Sequence, residues 1–173
     1  ATEKELNTNM KFKSKYFTKQ TEEADTIYLN EAELKEMREL DLSGNAKLDR
    51  VRDLFLIGCS TALRFGDLSA LKPENIVNGK IRISQKKTGN PVVIPVKELV
   101  NDIMIKYDGN LPKAISNEKM NLYLKELGQL LPLLKHKVSR TRTTGGVKLT
   151  TNYEKWELLC THTARRSFAT NEY

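Results

Sequence analysis

The sequence predicts a mainly α-helical domain with a small antiparallel β-sheet. Apolar residues recur at helical spacing through most of the chain beyond residue 26, and an Asn-Gly pair separates two alternating segments. Hydrophobic residues make up 39% of the 173 residues, which is enough to bury one core. We therefore expect one globular domain over residues 26–173, preceded at residues 1–25 by a linker or the tail of another domain.

The first two helices are predicted from their ends and their apolar stripes. Asn30 is a good N-cap, and Glu33 stands at the third helical position, as in a capping box. Met37 lies on the apolar stripe of this helix, which Ser43-Gly44-Asn45 is expected to end. Residues 46–61 form the next predicted helix, and because they are apolar on most sides we expect them at the centre of the core.

Residues 75–96 have the pattern of the small sheet. Asn78-Gly79 is the preferred pair for a type I′ hairpin turn, and apolar and polar residues alternate beside it. A second turn at residues 88–90 leaves Lys86 and Lys87 at a hairpin tip, where long side chains reach away from the sheet.

Two amphipathic helices are predicted next, at residues 97–107 and 117–131. The segment 136–146 that follows is polar, basic and rich in turn-forming residues. We interpret it as an exposed loop or irregular hairpin, in which Arg140 and Arg142 can lie against a phosphate backbone.

Charge favours a polyanionic partner. The chain has 29 Lys and Arg against 22 Asp and Glu, a formal net charge of +7, and basic residues dominate beyond Lys72. Cys59 and Cys160 have no second Cys or His at metal-ligand spacing, so we expect no metal site. The first residues lack the apolar segment of a secretory signal, and no apolar run is long enough to span a bilayer, which predicts a cytoplasmic protein.

The segment THTARRSFAT at residues 161–170 combines His162 and Arg165 three residues apart. In a helix these two side chains project from one face. An imidazole can donate or accept a proton near neutral pH, and a guanidinium offers a fork of donors that matches phosphate oxygens. Either residue alone is as often structural, so the prediction of a site depends on Arg64 and Lys87 joining them.

Three segments in order resemble the catalytic domain of tyrosine recombinases, the integrases of phages and conjugative transposons. TALRFGDL at 61–68 is similar to the first-arginine box of that family. KKTG at 86–89 with VVIP at 92–95 is similar to its hairpin lysine, and HTAR at 162–165 with SFAT at 167–170 to its histidine and second-arginine box. The resemblance covers nearly everything from residue 26 onward and implies the DNA breaking-rejoining enzyme fold.

The resemblance implies a catalytic set of Arg64, Lys87, His162 and Arg165. The two arginines would stabilise the negative charge that builds on the non-bridging oxygens of an attacked phosphodiester. Lys87 would protonate the departing 5′ oxygen, and His162 would bind the phosphate or assist proton movement. Asp67 would orient one of the arginines without contacting the phosphate itself. The family's reaction needs neither metal nor ATP, so no cofactor is expected.

Further contacts to DNA are expected from a second group of residues, namely Lys86, Thr88, Arg140, Arg142 and Arg166. Lys86 is also an alternative to Lys87 as the hairpin lysine. Arg166 stands where many members of the family have a second histidine, and its role stays open. The implied partner is a double-stranded DNA recombination site, with self-association of the intact protein on DNA and no membrane or small-molecule partner.

The covalent tyrosine of the family is expected beyond this sequence. In the family a further helix and a His or Trp follow the last box before that tyrosine, whereas Tyr173 comes only eight residues after Arg165. Tyr173 is therefore expected to be a packing residue. We expect residues 26–173 to be a C-terminally incomplete catalytic domain that binds DNA without cleaving it, with residues 1–25 as the tail of a core-binding domain.

The function implied is site-specific DNA recombination, such as integration of a mobile element, through a 3′-phosphotyrosyl intermediate. Two alternatives stay open. A type IB topoisomerase uses a similar set of residues but relaxes supercoils. The amino-acid sequences of the boxes are more similar to those of an integrase. A non-enzymatic basic DNA-binding module would lose only affinity and salt dependence when Arg64 or Arg165 is replaced by alanine.

Overall fold

The computed structural model describes residue 11, residues 26–144 and residues 147–173. In this part of the chain the helices are α1 (Glu31–Glu39), α2 (Ala46–Thr61), α3 (Phe65–Leu68), α4 (Glu98–Lys106), α5 (Asn117–Gln129) and α6 (Thr161–Asn171). The strands are β1 (Ile76–Val77), β2 (Lys80–Ser84), β3 (Pro91–Pro95), β4 (Lys137–Thr144) and β5 (Val147–Glu154). The predicted mixture of helices with a small antiparallel sheet is confirmed, and a second sheet is added. The prediction for residues 1–25 lies outside the described residues, Lys11 aside.

The N-terminus of α1 has the predicted capping box. The Asn30 side chain accepts a hydrogen bond from the Glu33 amide at 2.9 Å, and the Glu33 carboxylate accepts one from the Asn30 amide at 2.8 Å. The helix ends at Glu39, earlier than the expected stop at residues 43–45, because Leu40 already has extended backbone angles. Both helix ends are therefore set locally, before the chain turns into α2.

Helix α2 is the centre of the core, as predicted, and it has the predicted bounds. Residues 53–61 are all buried, and α4, α5 and α6 pack around this helix. Gly58 allows a close approach of α6, since a Cβ at this position would lie 3.1 Å from the Cβ of Ala164. The close approach matters for the site because Ala164 is followed directly by Arg165.

The first sheet has the order β1-β2-β3 and is antiparallel throughout. Asn78 and Gly79 both have positive φ angles, 52° and 68°, as the predicted type I′ turn requires. At the other end of β2, the Gln85 amide donates to the Asn90 carbonyl at 2.9 Å and the Gly89 amide donates to the Gln85 carbonyl at 2.8 Å. Residues 85–90 therefore form a closed turn at the hairpin tip.

The second sheet is a long hairpin of β4 and β5. Residues 137–144, interpreted from the sequence as a loop or irregular hairpin, instead form a regular strand that pairs with residues 147–154. Polar cross-strand pairs such as Ser139 with Asn152, at 2.7 Å, support it in place of an apolar face. None of the helices that the structure describes is long and apolar enough to cross a membrane.

Candidate functional site

The site begins where α2 ends. Ala62 caps this helix in the left-handed conformation, with φ of 53°, and its amide donates to the Gly58 carbonyl at 3.0 Å. The backbone then extends through Arg64, which is the N-cap residue of α3. The half-buried side chain of Arg64 thus projects from the break between two helices, next to the hairpin tip.

Arg64 is tied to the hairpin tip by Gln85. Its Nη1 donates to Gln85 Oε1 at 2.9 Å, and the same oxygen accepts from the Thr88 hydroxyl at 2.9 Å. Arginine has no acceptor atoms, so the amide oxygen of Gln85 must face it.

Arg165 reaches the same junction from α6. Its Nη1 donates a hydrogen bond to the carbonyl oxygen of Ala62, two residues before Arg64. Burial lowers the pKa of Arg165, repulsion from the Arg64 charge lowers it further, and attraction to Asp67 opposes both. In the described part of the chain neither guanidinium forms an ion pair with a carboxylate. Two neighbouring cations that are not paired directly with a carboxylate favour binding of an anion.

Asp67 lies buried beside the two arginines and is only 5% exposed. Its Oδ1 accepts from the Lys86 amide at 2.9 Å, while Oδ2 is buried without a hydrogen-bond partner. The sequence indicated that Asp67 orients an arginine. Its hydrogen bond goes to the hairpin, and its charge raises the pKa of Arg165, so its role in orienting an arginine stays a prediction.

The lysines of the hairpin tip have different surroundings. The side chain of Lys86 lines a small pocket together with Asp67, Asn75 and Ser84. Lys87 is exposed, and among the described residues it makes no hydrogen bond or ion pair. Its side chain is therefore free to reach a ligand. Lys86 is exposed as well, so the choice between the two lysines stays a prediction.

His162 is exposed in the first turn of α6, three residues before Arg165. This spacing sets the two side chains on the same side of the helix, as predicted. Hydrogen bonds join Arg64, Gln85 and Thr88, and the bond from Arg165 to the Ala62 carbonyl brings Arg165 to the same junction; these four residues and the Ala62 carbonyl form the cluster. His162 and Lys87 lie on its elements, and among the described residues neither makes a hydrogen bond to an arginine.

The remaining candidates lie outside this hydrogen-bonded cluster. Arg140 is half-buried and Arg142 exposed on β4, and since they are two residues apart they project from one face of the hairpin. Arg166 is half-buried on α6. Tyr173 is fully exposed, so the expectation that it packs against the domain is wrong.

No protein-family model and no curated protein matches the sequence. Among the described residues, no group of His, Cys, Asp and Glu could hold a metal ion, and the charges available at the cluster are those of the two arginines and Asp67.

Sequence reasoning missed two members of the cluster. Gln85 was overlooked because a glutamine at the end of a strand has no chemistry of its own, although its place two residues before Lys87 is a usable clue. The Ala62 carbonyl could not be found from residue types, because its role depends on how closely α6 approaches α2.

Proposed function

We propose that this chain carries the phosphate-binding part of a tyrosine-type site-specific DNA recombinase, an integrase. The observation that carries the proposal is the meeting of Arg64 and Arg165, from separate helices, at one junction where, among the described residues, neither forms a direct ion pair with a carboxylate. Such a pair suits the scissile phosphate of DNA, because phosphate oxygens accept charge-assisted hydrogen bonds from guanidinium groups.

Each guanidinium donates a hydrogen bond to the protein and has further N–H groups left for a ligand. Arg64 donates to Gln85, and Arg165 donates to the Ala62 carbonyl. A guanidinium has several further N–H donors, which can bind the two non-bridging oxygens. Attack on the phosphodiester raises the negative charge on these oxygens, so preorganised donors stabilise the transition state more than the ground state.

The two remaining candidates supply proton transfer in this proposal. Lys87, free and exposed at the hairpin tip, protonates the 5′ oxygen as it leaves. His162, one helical turn before Arg165, binds the phosphate or moves the proton of the nucleophile. The tyrosine nucleophile forms a 3′-phosphotyrosyl link that conserves the energy of the broken bond, and it is assigned to no residue of this chain.

The rest of the DNA is held by positive charge outside the cluster. The exposed hairpin of β4 and β5 presents Arg140 and Arg142 on one face, and Lys86, Thr88 and Arg166 lie on the elements that form the cluster. Such contacts fix the register of a duplex on the protein without reading its sequence. The formal net charge of +7 supports this mode of binding.

The test is binding of a duplex from which one phosphate has been left out, with and without orthovanadate. Vanadate in the gap can take a water molecule as its fifth ligand in place of the tyrosine, and it then has the five-coordinate geometry of the transition state. Transition-state analogues bind more tightly than substrates. We expect vanadate to tighten binding by about tenfold or more, and Arg64→Ala or Arg165→Ala to abolish this gain, since a hydrogen bond to a charged group contributes about 1.5–3 kcal/mol.

Arg38→Ala is the matched control, because Arg38 is exposed and pairs with Asp102 away from the cluster. It removes the same charge and should keep the gain from vanadate. A non-enzymatic basic module would instead bind the gapped duplex equally well with and without vanadate. All three variants would then weaken binding alike, with a salt slope shallower by about 1 for each lost phosphate contact.

A further inference from the structure

We propose that Gln85 is a positioning residue that couples the capture of phosphate by Arg64 to the placement of the hairpin lysine, Lys87. The inference rests on the proposed function of the two arginines. Gln85 itself carries no charge and takes no part in proton transfer.

The side chain of Gln85 connects the first arginine with the far side of the hairpin tip. Its Oε1 accepts from Arg64 Nη1 and from the Thr88 hydroxyl, each at 2.9 Å. Thr88 follows Lys87 directly in the chain. One amide oxygen therefore fixes the direction of the guanidinium and holds the side chain of the residue that follows the lysine.

The backbone on the N-terminal side of Lys87 is fixed as well. The Lys86 amide donates to Asp67 Oδ1 at 2.9 Å, and the Gln85 amide and carbonyl close the turn through Asn90 and Gly89. Lys87 is thus held by anchored neighbours on both sides, while its own side chain is exposed and free. This arrangement places the lysine on the same segment that holds Arg64 and leaves its ammonium able to reach a leaving group.

The acceptor at position 85 is neutral, and the neutrality matters. An amide oxygen orients Arg64 without cancelling its charge, so that the guanidinium still attracts a phosphate. A carboxylate of the same size would keep both hydrogen bonds but would form an ion pair with Arg64 and repel the anion. Gln85→Glu therefore separates the role of orienting Arg64 from simple support of the hairpin.

The experiment combines two readouts on Gln85→Ala and Gln85→Glu. The first is the vanadate-dependent gain in binding to the gapped duplex, and the second is hydrogen exchange of the amides in residues 85–90. Gln85→Ala should reduce the gain by about tenfold and speed exchange, because it removes a hydrogen bond to a charged group. Gln85→Glu should reduce the gain by at least about tenfold while exchange stays as slow as in the wild type.

Gln129→Glu, at the exposed end of α5, is the control for the change in charge and should keep the gain within about twofold. If Gln85→Glu binds the vanadate-containing duplex as the wild type does, Gln85 only supports the hairpin and the proposal is wrong. Should Gln85→Ala fail to fold, Thr88→Val removes one donor to the same oxygen and should speed exchange at the tip; unchanged exchange would also count against the proposal.

The two proposals fail in different ways. A wild-type protein that gains nothing from vanadate contradicts the proposed function itself. A wild-type gain that depends on Arg64 but persists in both Gln85 variants contradicts the positioning role alone.

Discussion

A buried ion pair provides the sharpest test of how the fold is held together. Lys155 Nζ lies 2.6 and 2.7 Å from the two carboxylate oxygens of Glu33, and these residues are only 8% and 3% exposed. Glu33 also caps α1 by accepting from the Asn30 amide. We expect Lys155→Met to cost about 3–5 kcal/mol, because it leaves a buried carboxylate uncompensated.

The double variant Lys155→Met with Glu33→Gln should recover most of that loss. The amide introduced at position 33 has no charge to desolvate, and its oxygen can still accept from Asn30. Urea unfolding measures both effects. With a slope of about 1–3 kcal/mol per M, the single variant should shift the midpoint by at least about 1 M. Lys35→Met is the control, because Lys35 pairs with Glu39 in solvent and should cost under about 0.5 kcal/mol.

A cost for Lys155→Met no larger than that for Lys35→Met would contradict the role of the buried charge. A double variant no more stable than the single one would contradict it as well. In the first case water reaches the carboxylate well enough to replace the lysine. In the second, the loss comes from packing of the lysine side chain and not from the charge left behind.

Two further predictions concern packing and thiol chemistry. Gly128→Ala should destabilise the fold by about 1–3 kcal/mol in thermal unfolding, because its Cβ would lie 2.7 Å from side-chain atoms of Leu159 and Trp156. We expect this loss although alanine is the better helix former. An unchanged melting temperature would show that the two side chains move aside. Burial raises the pKa of the Cys59 thiol, so a disulfide reagent at pH 8 should label half-buried Cys160 and leave Cys59 unmodified until denaturant is added. The Cys160→Ser variant isolates Cys59, and rapid labelling of that variant would contradict the burial argument.

The fold could be predicted where local patterns decide it. The capping box at Asn30, the bounds of α2 and the Asn78-Gly79 turn are all confirmed, since each depends on residues a few positions apart. The hairpin of β4 and β5 was not predicted as two regular strands. Its side chains on both faces are largely polar, so the apolar alternation that marks a strand is absent, and cross-strand pairing holds it instead.

For the candidate site, the charged residues could be predicted but not their partners. Arg64 and Arg165 were chosen because their segments resemble the two arginine boxes of a known family, and the structure brings both to one junction. The partners depend on tertiary approach: Gln85 meets Arg64 only because the hairpin folds over α3, and Ala62 meets Arg165 only because Gly58 lets α6 come close. No local pattern contains this information.

The hydrogen bond from Arg165 to Ala62 also has a consequence for the order of folding. It joins residues 103 positions apart in the chain. Other contacts must therefore offset the entropic cost of closing a long loop before the two arginines can come together. During synthesis, Arg64 and the first hairpin leave the ribosome well before α6 does. The arginine pair therefore forms only after α6 has docked on α2, and any local opening that releases α6 separates the pair.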